Sequence, residues 1–224
     1  RAAAVLSSAL ARAGYAPTAQ FNFTVSATGT TTNLSSAVLQ FRARGVTHVF
    51  STDNYVGQFM EQANSQHFYP RYAMSTFDTP QELTSNAPTK QLVGALGIGS
   101  DPSIDVDFAQ DPGYITPAEK TCLAEQQELQ SYSGLRFAEA IGLEYCDAFR
   151  LIRAAALAAG GLSGPDIVKG LQLAGPTYVP ASSFESGLRT NDFALPGAGR
   201  DLAFESKCQC FAYTSKTNYN FEAN

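Results

Sequence analysis

Two short stretches carry the side chains best suited to holding a small ligand. Ser51-Thr52-Asp53-Asn54-Tyr55 and Ser75-Thr76-Phe77-Asp78-Thr79 each combine hydroxyls, a carboxylate and an aromatic ring. Each directly follows a run that reads as a strand, and a helical pattern comes after it. Free backbone N–H groups at such helix starts can hold a ligand carboxylate, and Asp53 or Asp78 can pair with a ligand ammonium. The same residue types are ordinary helix caps, and a single loop of this kind reads more simply that way. Two on one sheet edge put the binding reading level with capping.

Catalytic chemistry finds less support. No G-x-S-x-G elbow, P-loop or H-E-x-x-H is present, and the two histidines, His48 and His67, lie without a partner motif. His48 sits inside the strand-like VTHVFS, where a side chain facing a neighbouring helix is the simpler explanation, and His67 falls at a helix end that suits a cation. Gly94-Ala95-Leu96-Gly97-Ile98-Gly99 lacks the helix that must open straight after a dinucleotide fingerprint, so close strand packing or a hinge is expected there. Gly197-Ala198-Gly199 reads as a turn. No cofactor, metal or enzymatic activity is expected.

Four cysteines, Cys122, Cys146, Cys208 and Cys210, have neither the CxxC knuckles nor the Cys/His clustering of a zinc site. An even count in a chain with few charges suits two disulfides made in an oxidising compartment. Three pairings are possible, of which Cys122 with Cys146 and Cys208 with Cys210 is the simplest; four buried thiols is the alternative.

The elements that must position these residues follow a regular rhythm. An Ala-rich helix over 1–13 ends at Gly14, and Ala19 to Val25 alternates as a strand. Helices over 34–44, 55–66 and 80–85 then alternate with strands over 46–51, 72–76 and 91–98. That order predicts right-handed βαβ units on a mostly parallel, doubly wound sheet, which bind ligands beyond the carboxyl ends of their strands. From Ser100 the chain turns irregular and acidic, as at a domain boundary. Helices over 117–130, 137–159 and 165–173 follow, the second with Ile141, Tyr145, Ala148, Phe149, Ile152, Ala155 and Ala156 as a stripe for burial. A loop-rich region over 175–203 and a strand over 208–214 complete the chain.

Composition narrows the partners. Twenty Asp+Glu against fifteen Lys+Arg give a net charge of -5, so no basic footprint for nucleic acid or an anionic membrane is expected. The longest apolar run, near Ala154–Ala159, is far short of the roughly 20 residues of a membrane span.

The ordered series of weak motifs resembles the type I periplasmic solute-binding proteins of ABC transporters, in particular the branched-chain amino-acid receptor group. The phrase LQFRARGVTHVFSTDN over 39–54 looks like that family's helix, strand and binding loop, and YAMSTF over 72–77 and LVGALGIG over 92–99 look like its following strands. The phrase from Tyr145-Cys146-Asp147-Ala148 to Gly161, with Cys208-Gln209-Cys210-Phe211-Ala212-Tyr213, is similar to a disulfide-bearing actinobacterial branch. The resemblance implies two hinged lobes closing on a small polar solute such as an amino acid, with an ABC permease as partner. It also implies an extracellular or periplasmic site, with or without a lipid anchor at the cell surface. Residues 1–100 and 208–224 would form the second lobe and 101–207 part of the first. The rest of the first lobe, and the first strand of the second, would precede residue 1. Ser51, Thr52, Asp53, Asn54, Tyr55, Phe77 and Asp78 fall on the family's ligand-contacting loops. The alternative is a receptor-like or structural module on the same fold that recognises a protein or a glycan.

Overall fold

The computed structural model describes residues 2–26, 33–107, 116–129, 136–188 and 196–221. Its helices and strands run α1 (Ala2–Arg12), α2 (Leu34–Ala43), β1 (His48–Phe50), α3 (Val56–Ser65), β2 (Arg71–Ser75), α4 (Pro80–Asn86), α5 (Thr89–Leu92), β3 (Leu96–Gly99) and α6 (Pro102–Asp105). There follow α7 (Pro117–Leu129), α8 (Arg136–Ala159), α9 (Gly164–Ala174), β4 (Ala198–Glu205), β5 (Cys210–Tyr213) and β6 (Tyr219–Asn220). The helical periodicities therefore become helices within a residue or two of the expected bounds. Ser163 caps α9 as its position before Gly164-Pro165 suggests, its hydroxyl accepting from the Asp166 N–H.

The sheet has the order β1-β2-β3-β4-β5, with β6 paired to β4. β1, β2 and β3 are mutually parallel, β4 runs against both of its neighbours, and β5 therefore shares the direction of the first three. The core lies where Val49, Tyr72, Met74, Leu202 and Phe211 meet Val38, Phe59 and Met60 of α2 and α3. Strand alternation sends the neighbouring residues to the opposite face, where Phe50, Ala73 and Leu96 stand in register across three strands and remain exposed. Gly97 is needed for close strand packing: a Cβ there would overlap the Met74 carbonyl oxygen.

Several expectations are corrected. Residues 19–24 form no strand, although Phe21 and Phe23 are half-buried and Gln20, Asn22 and Thr24 exposed, as a strand would have them. Only Val25 makes an isolated bridge. Alternation records which face is covered, whereas a strand also needs a neighbour to pair with. The expected strand over 91–98 begins only at Leu96, because Thr89–Leu92 winds into a helical turn that buries Gln91, whose amide bonds the Phe68 carbonyl and the Tyr72 hydroxyl. Gly197-Ala198-Gly199 is no turn; Ala198 and Gly199 open β4 against β6. Because β4 joins the sheet, residues 198–205 belong with the strands and not with the segment over 101–207 that was expected to form a second unit. His48 is exposed beside the Thr47 hydroxyl instead of facing a helix.

The segment after β3 packs differently from a loop. Cys122 of α7 is bonded to Cys146 of α8, and Cys208 to Cys210 at the start of β5, the simplest of the possible pairings. The α8 stripe expected to be buried is so only at its end, where Ala155 is buried; the rest is open, with Tyr145 65% and Phe149 72% exposed and Ile141 and Ile152 exposed beside them. Among the described residues no single helix is long and apolar enough to cross a membrane.

Candidate functional site

The carboxyl ends of β1, β2 and β3 open onto three consecutive loops, and these hold the polar groups singled out above. After β1, the Ser51 hydroxyl bonds the Asp53 carbonyl at 3.0 Å, and the Asp53 carboxylate accepts from the Tyr55 N–H at 2.8 Å. Asp53 therefore holds the approach to α3 as a short Asx turn. The Tyr55 ring meets Phe23 edge-on, with centroids 6.2 Å apart, and Asn54 points to solvent.

After β2, a single 3-10 turn over Thr76–Asp78 precedes α4. The Asp78 carboxylate folds back to accept from the Ser75 N–H at 2.7 Å and the Ser75 hydroxyl at 3.0 Å, which leaves Asp78 2% exposed. Burial pushes its carboxyl up to about 6, against the opposing pull of the Ser75 hydrogen bonds; the charge of Asp53 adds to the rise. The two loops are thus brought together at one sheet edge. What they present differs from the expectation, since Asp78 points inward and shapes its loop while Phe77, 63% exposed, forms its outer surface.

The loop after β3 joins this site and was not foreseen. Asp101 caps α6, its carboxylate accepting from the Ser103 N–H at 2.9 Å. One turn later, Asp105 is fully buried, and its Oδ2 accepts from the Tyr213 hydroxyl at 2.8 Å, the Asp101 N–H at 2.9 Å and the Thr76 hydroxyl at 3.2 Å. Its Oδ1 has no hydrogen-bond partner among the described residues. The Thr76 oxygen also accepts from the Ser100 N–H. Burial lifts the carboxyl of Asp105 to about 8, with the neighbouring Asp101 contributing, and burial lifts Asp101 itself to about 7. The phenol of Tyr213 is likewise held well above its usual range, first by burial and then by the negative charge of Asp105. Asp101-Pro102-Ser103, an acid before a proline at a helix start, is the sequence signal that could have exposed this turn.

A cavity of about 600 Å³ runs beneath the first loop. It lies between α1, residues 16–23 and the backbone of β1, and is walled by Leu6, Leu10, Phe21, Phe23 and Phe50. The edge of β1 that faces away from β2 has no strand partner among the described residues. No group of three or more His, Cys, Asp or Glu side chains among the described residues is placed to hold a metal ion.

No protein-family model and no curated protein matches the chain. Solved structures do. A periplasmic binding protein type 1 from Bordetella pertussis Tohama I superposes with a TM-score of 0.58 at 11% identity, over 96% of this chain and 55% of its own. This is the type 1 periplasmic binding protein fold. An extracellular ligand-binding receptor from Rhodopseudomonas palustris gives a TM-score of 0.52 at 11% identity, over 82% of this chain and 52% of its own. The chain spans about half the length of the solved structures it matches. Within the type 1 fold seen here, the loops after β1, β2 and β3 stand at the carboxyl ends of parallel strands, the edge at which open α/β sheets hold ligands.

Proposed function

We propose that this chain is part of an extracytoplasmic solute-binding protein, the receptor component of an ABC importer, that closes two hinged lobes on a small polar solute such as an amino acid. The observation that carries the reading is the juxtaposition of the loops after β1 and β2, close enough for the charge of Asp53 to act on Asp78. In this reading Ser51, Thr52, Asn54 and Tyr55 supply polar contacts and Phe77 an apolar wall, while Asp53 and Asp78 fix the two loops and favour a cationic group above them. It is a binding protein and not an enzyme.

The remainder of the first lobe, in this reading, precedes residue 1 and covers the open stripe of α8. A contiguous apolar helix face is costly to leave in water at about 25 cal/mol per Å². The first strand of the second lobe then fills the cavity between residues 16–23 and β1. Three features support that placement: the strand-like alternation of residues 19–24, the unpaired edge of β1, and solved structures about twice as long as the part matched. The two disulfides support an oxidising location, periplasmic or outside the cell, where a lipid anchor would keep the receptor near its permease.

A thermal-shift screen of the intact protein against amino acids, amides and small carboxylates tests the reading. A cognate solute at a thousandfold excess over its Kd stabilises by about 4 kcal/mol. Absence of stabilisation by every solute in the panel overturns it.

A further inference from the structure

Ser100, the first residue after β3, meets one atom twice. Its N–H donates to Thr76 Oγ1 at 2.6 Å, and its own hydroxyl oxygen lies 3.1 Å from the same atom. The direction of the proton between the two hydroxyls is set one bond further in. Thr76 Oγ1 lies 3.2 Å from Asp105 Oδ2, and that oxygen also meets the Asp101 N–H at 2.9 Å and the Tyr213 hydroxyl at 2.8 Å. A backbone N–H can only donate, so Oδ2 is an acceptor, whether Asp105 is ionised or carries a proton on Oδ1. Thr76 has a single hydroxyl proton, and a carboxylate oxygen accepts it more strongly than a neighbouring hydroxyl does. That proton therefore goes to Asp105. Thr76 Oγ1 then faces Ser100 with lone pairs alone, one taking the Ser100 N–H and the other the Ser100 O–H. The same pairing of one serine's N–H and O–H on a single acceptor occurs at Ser75 on Asp78 and at Ser182 on Asp147.

We propose that Ser100 is a specificity-determining residue, whose hydroxyl offers only lone pairs to the site at the strand ends and so selects a solute that brings a hydrogen-bond donor there over one that brings a carboxylate. The Ser100 proton is committed to Thr76, and its Oγ has no other partner among the described residues. Ser100 is half-buried, and it adjoins the loop that carries the exposed Phe77. The residue is also held from behind, since its carbonyl accepts from the Phe184 N–H at 3.3 Å. A carboxylate set against Ser100 meets oxygen lone pairs with its own. To bond there it must draw the Ser100 proton off Thr76, which costs one hydrogen bond to make another. An ammonium, amide N–H or hydroxyl instead extends the chain: the solute donates to Ser100, Ser100 to Thr76 and Thr76 to Asp105. Each hydroxyl then accepts one bond and donates one, and the bonds polarise one another toward the carboxylate. An ammonium gains most, because its bond to the serine oxygen is charge-assisted. The consequence for solute choice rests on the reading of these loops as the binding site; the direction of the proton chain does not.

Neutron diffraction from deuterium-exchanged crystals of the solute-free full-length protein reads the direction itself. Deuterons are expected on Ser100 Oγ pointing to Thr76 Oγ1, and on Thr76 Oγ1 pointing to Asp105 Oδ2. A Ser100 deuteron directed away from Thr76, or a Thr76 deuteron directed at Ser100, overturns the proposal whatever the protein binds. Solute choice is read by isothermal titration. Each amino acid that shifts the melt is compared with its substituted malonate, in which a carboxylate replaces the ammonium. The wild type should prefer the amino acid. Ser100→Ala should lower amino-acid affinity by about tenfold or more, the loss of one hydrogen bond to a charged group, and leave the malonate bound no more weakly. Thr76→Val, which frees the Ser100 proton to turn outward, should narrow the preference by about tenfold, and Ser100→Thr should keep it. Equal loss for both solutes in Ser100→Ala, or a panel in which only donor-free carboxylates bind, overturns the proposal. A panel without any binder speaks against solute capture alone, and the deuteron positions still decide how Ser100 is set.

Discussion

Asp147 of α8 receives both the backbone N–H and the hydroxyl of Ser182, each at 2.7 Å. The same carboxylate also accepts from the Ala181 N–H and the Tyr178 hydroxyl, so one buried side chain fastens the whole turn over 178–182 to the long helix. Replacing Asp147 with Ala strands several buried donors at once. The expected loss is about 3 kcal/mol or more, since hydrogen bonds to a charged group are each worth about 1.5–3 kcal/mol. Urea unfolding should show a lower midpoint with an unchanged slope.

The two disulfides should differ sharply in worth. Cys122–Cys146 closes a loop with a sequence separation of 24, which the chain-entropy model values at about 3.5 kcal/mol, whereas Cys208–Cys210 has a separation of only 2 and restrains little of the unfolded chain. Paired Ser substitutions at 122 and 146 are expected to lower Tm by several degrees, and those at 208 and 210 by far less, as read by calorimetry.

Phe77 is exposed and Asp78 is not, so substitutions there separate binding from folding. Phe77→Ala should weaken solute affinity by about tenfold, or about 1.4 kcal/mol, the scale of losing part of an apolar contact. Its Tm should stay unchanged. Isothermal titration with the solute found by the thermal screen, alongside a melt, measures both.

Asp78 adds a pH dependence of its own. Its folded-state pKa, raised by burial to about 6, exceeds the unfolded value of 3.8, so its contribution is fully present below about pH 4 and is lost as pH rises through about 6. Asp78→Asn should flatten that part of the stability profile in denaturant titrations run at steps of pH.

Gly97→Ala forces a methyl group into the Met74 carbonyl between two parallel strands. Overpacking of this kind costs about 1–3 kcal/mol, so Tm is expected to fall by about 2–10 °C in a protein of this length. A variant that melts like the wild type would remove close strand packing as the reason for this glycine.

Much of the scaffold was readable from spacing alone. Leu34, Val38, Phe59 and Met60 lie at helical intervals and do face the core, and the parallel run of β1, β2 and β3 follows from helices placed between strands. β4 escaped notice because it opens on Ala198-Gly199 and carries Arg200-Asp201 before its apolar run, so it shows neither alternation nor a continuous apolar core. The binding loops were legible as residue types at strand ends, but the inward turn of Asp78 depends on the Ser75 N–H, a backbone group that composition does not reveal. Asp105 was invisible for a plainer reason: its hydroxyl partners lie 29 and 108 positions away in the chain.

The place of β4 in the sheet has a consequence for the order of events during synthesis. β3 pairs with β4 in the register Leu96 to Ala203, so about a hundred residues must leave the ribosome before the open side of β3 finds its neighbour. At translation speeds of about 5–20 residues per second, that side stays bare for roughly 5–20 s. Until then that side of β3 presents unpaired backbone N–H and C=O groups, a strand edge open to pairing with another chain.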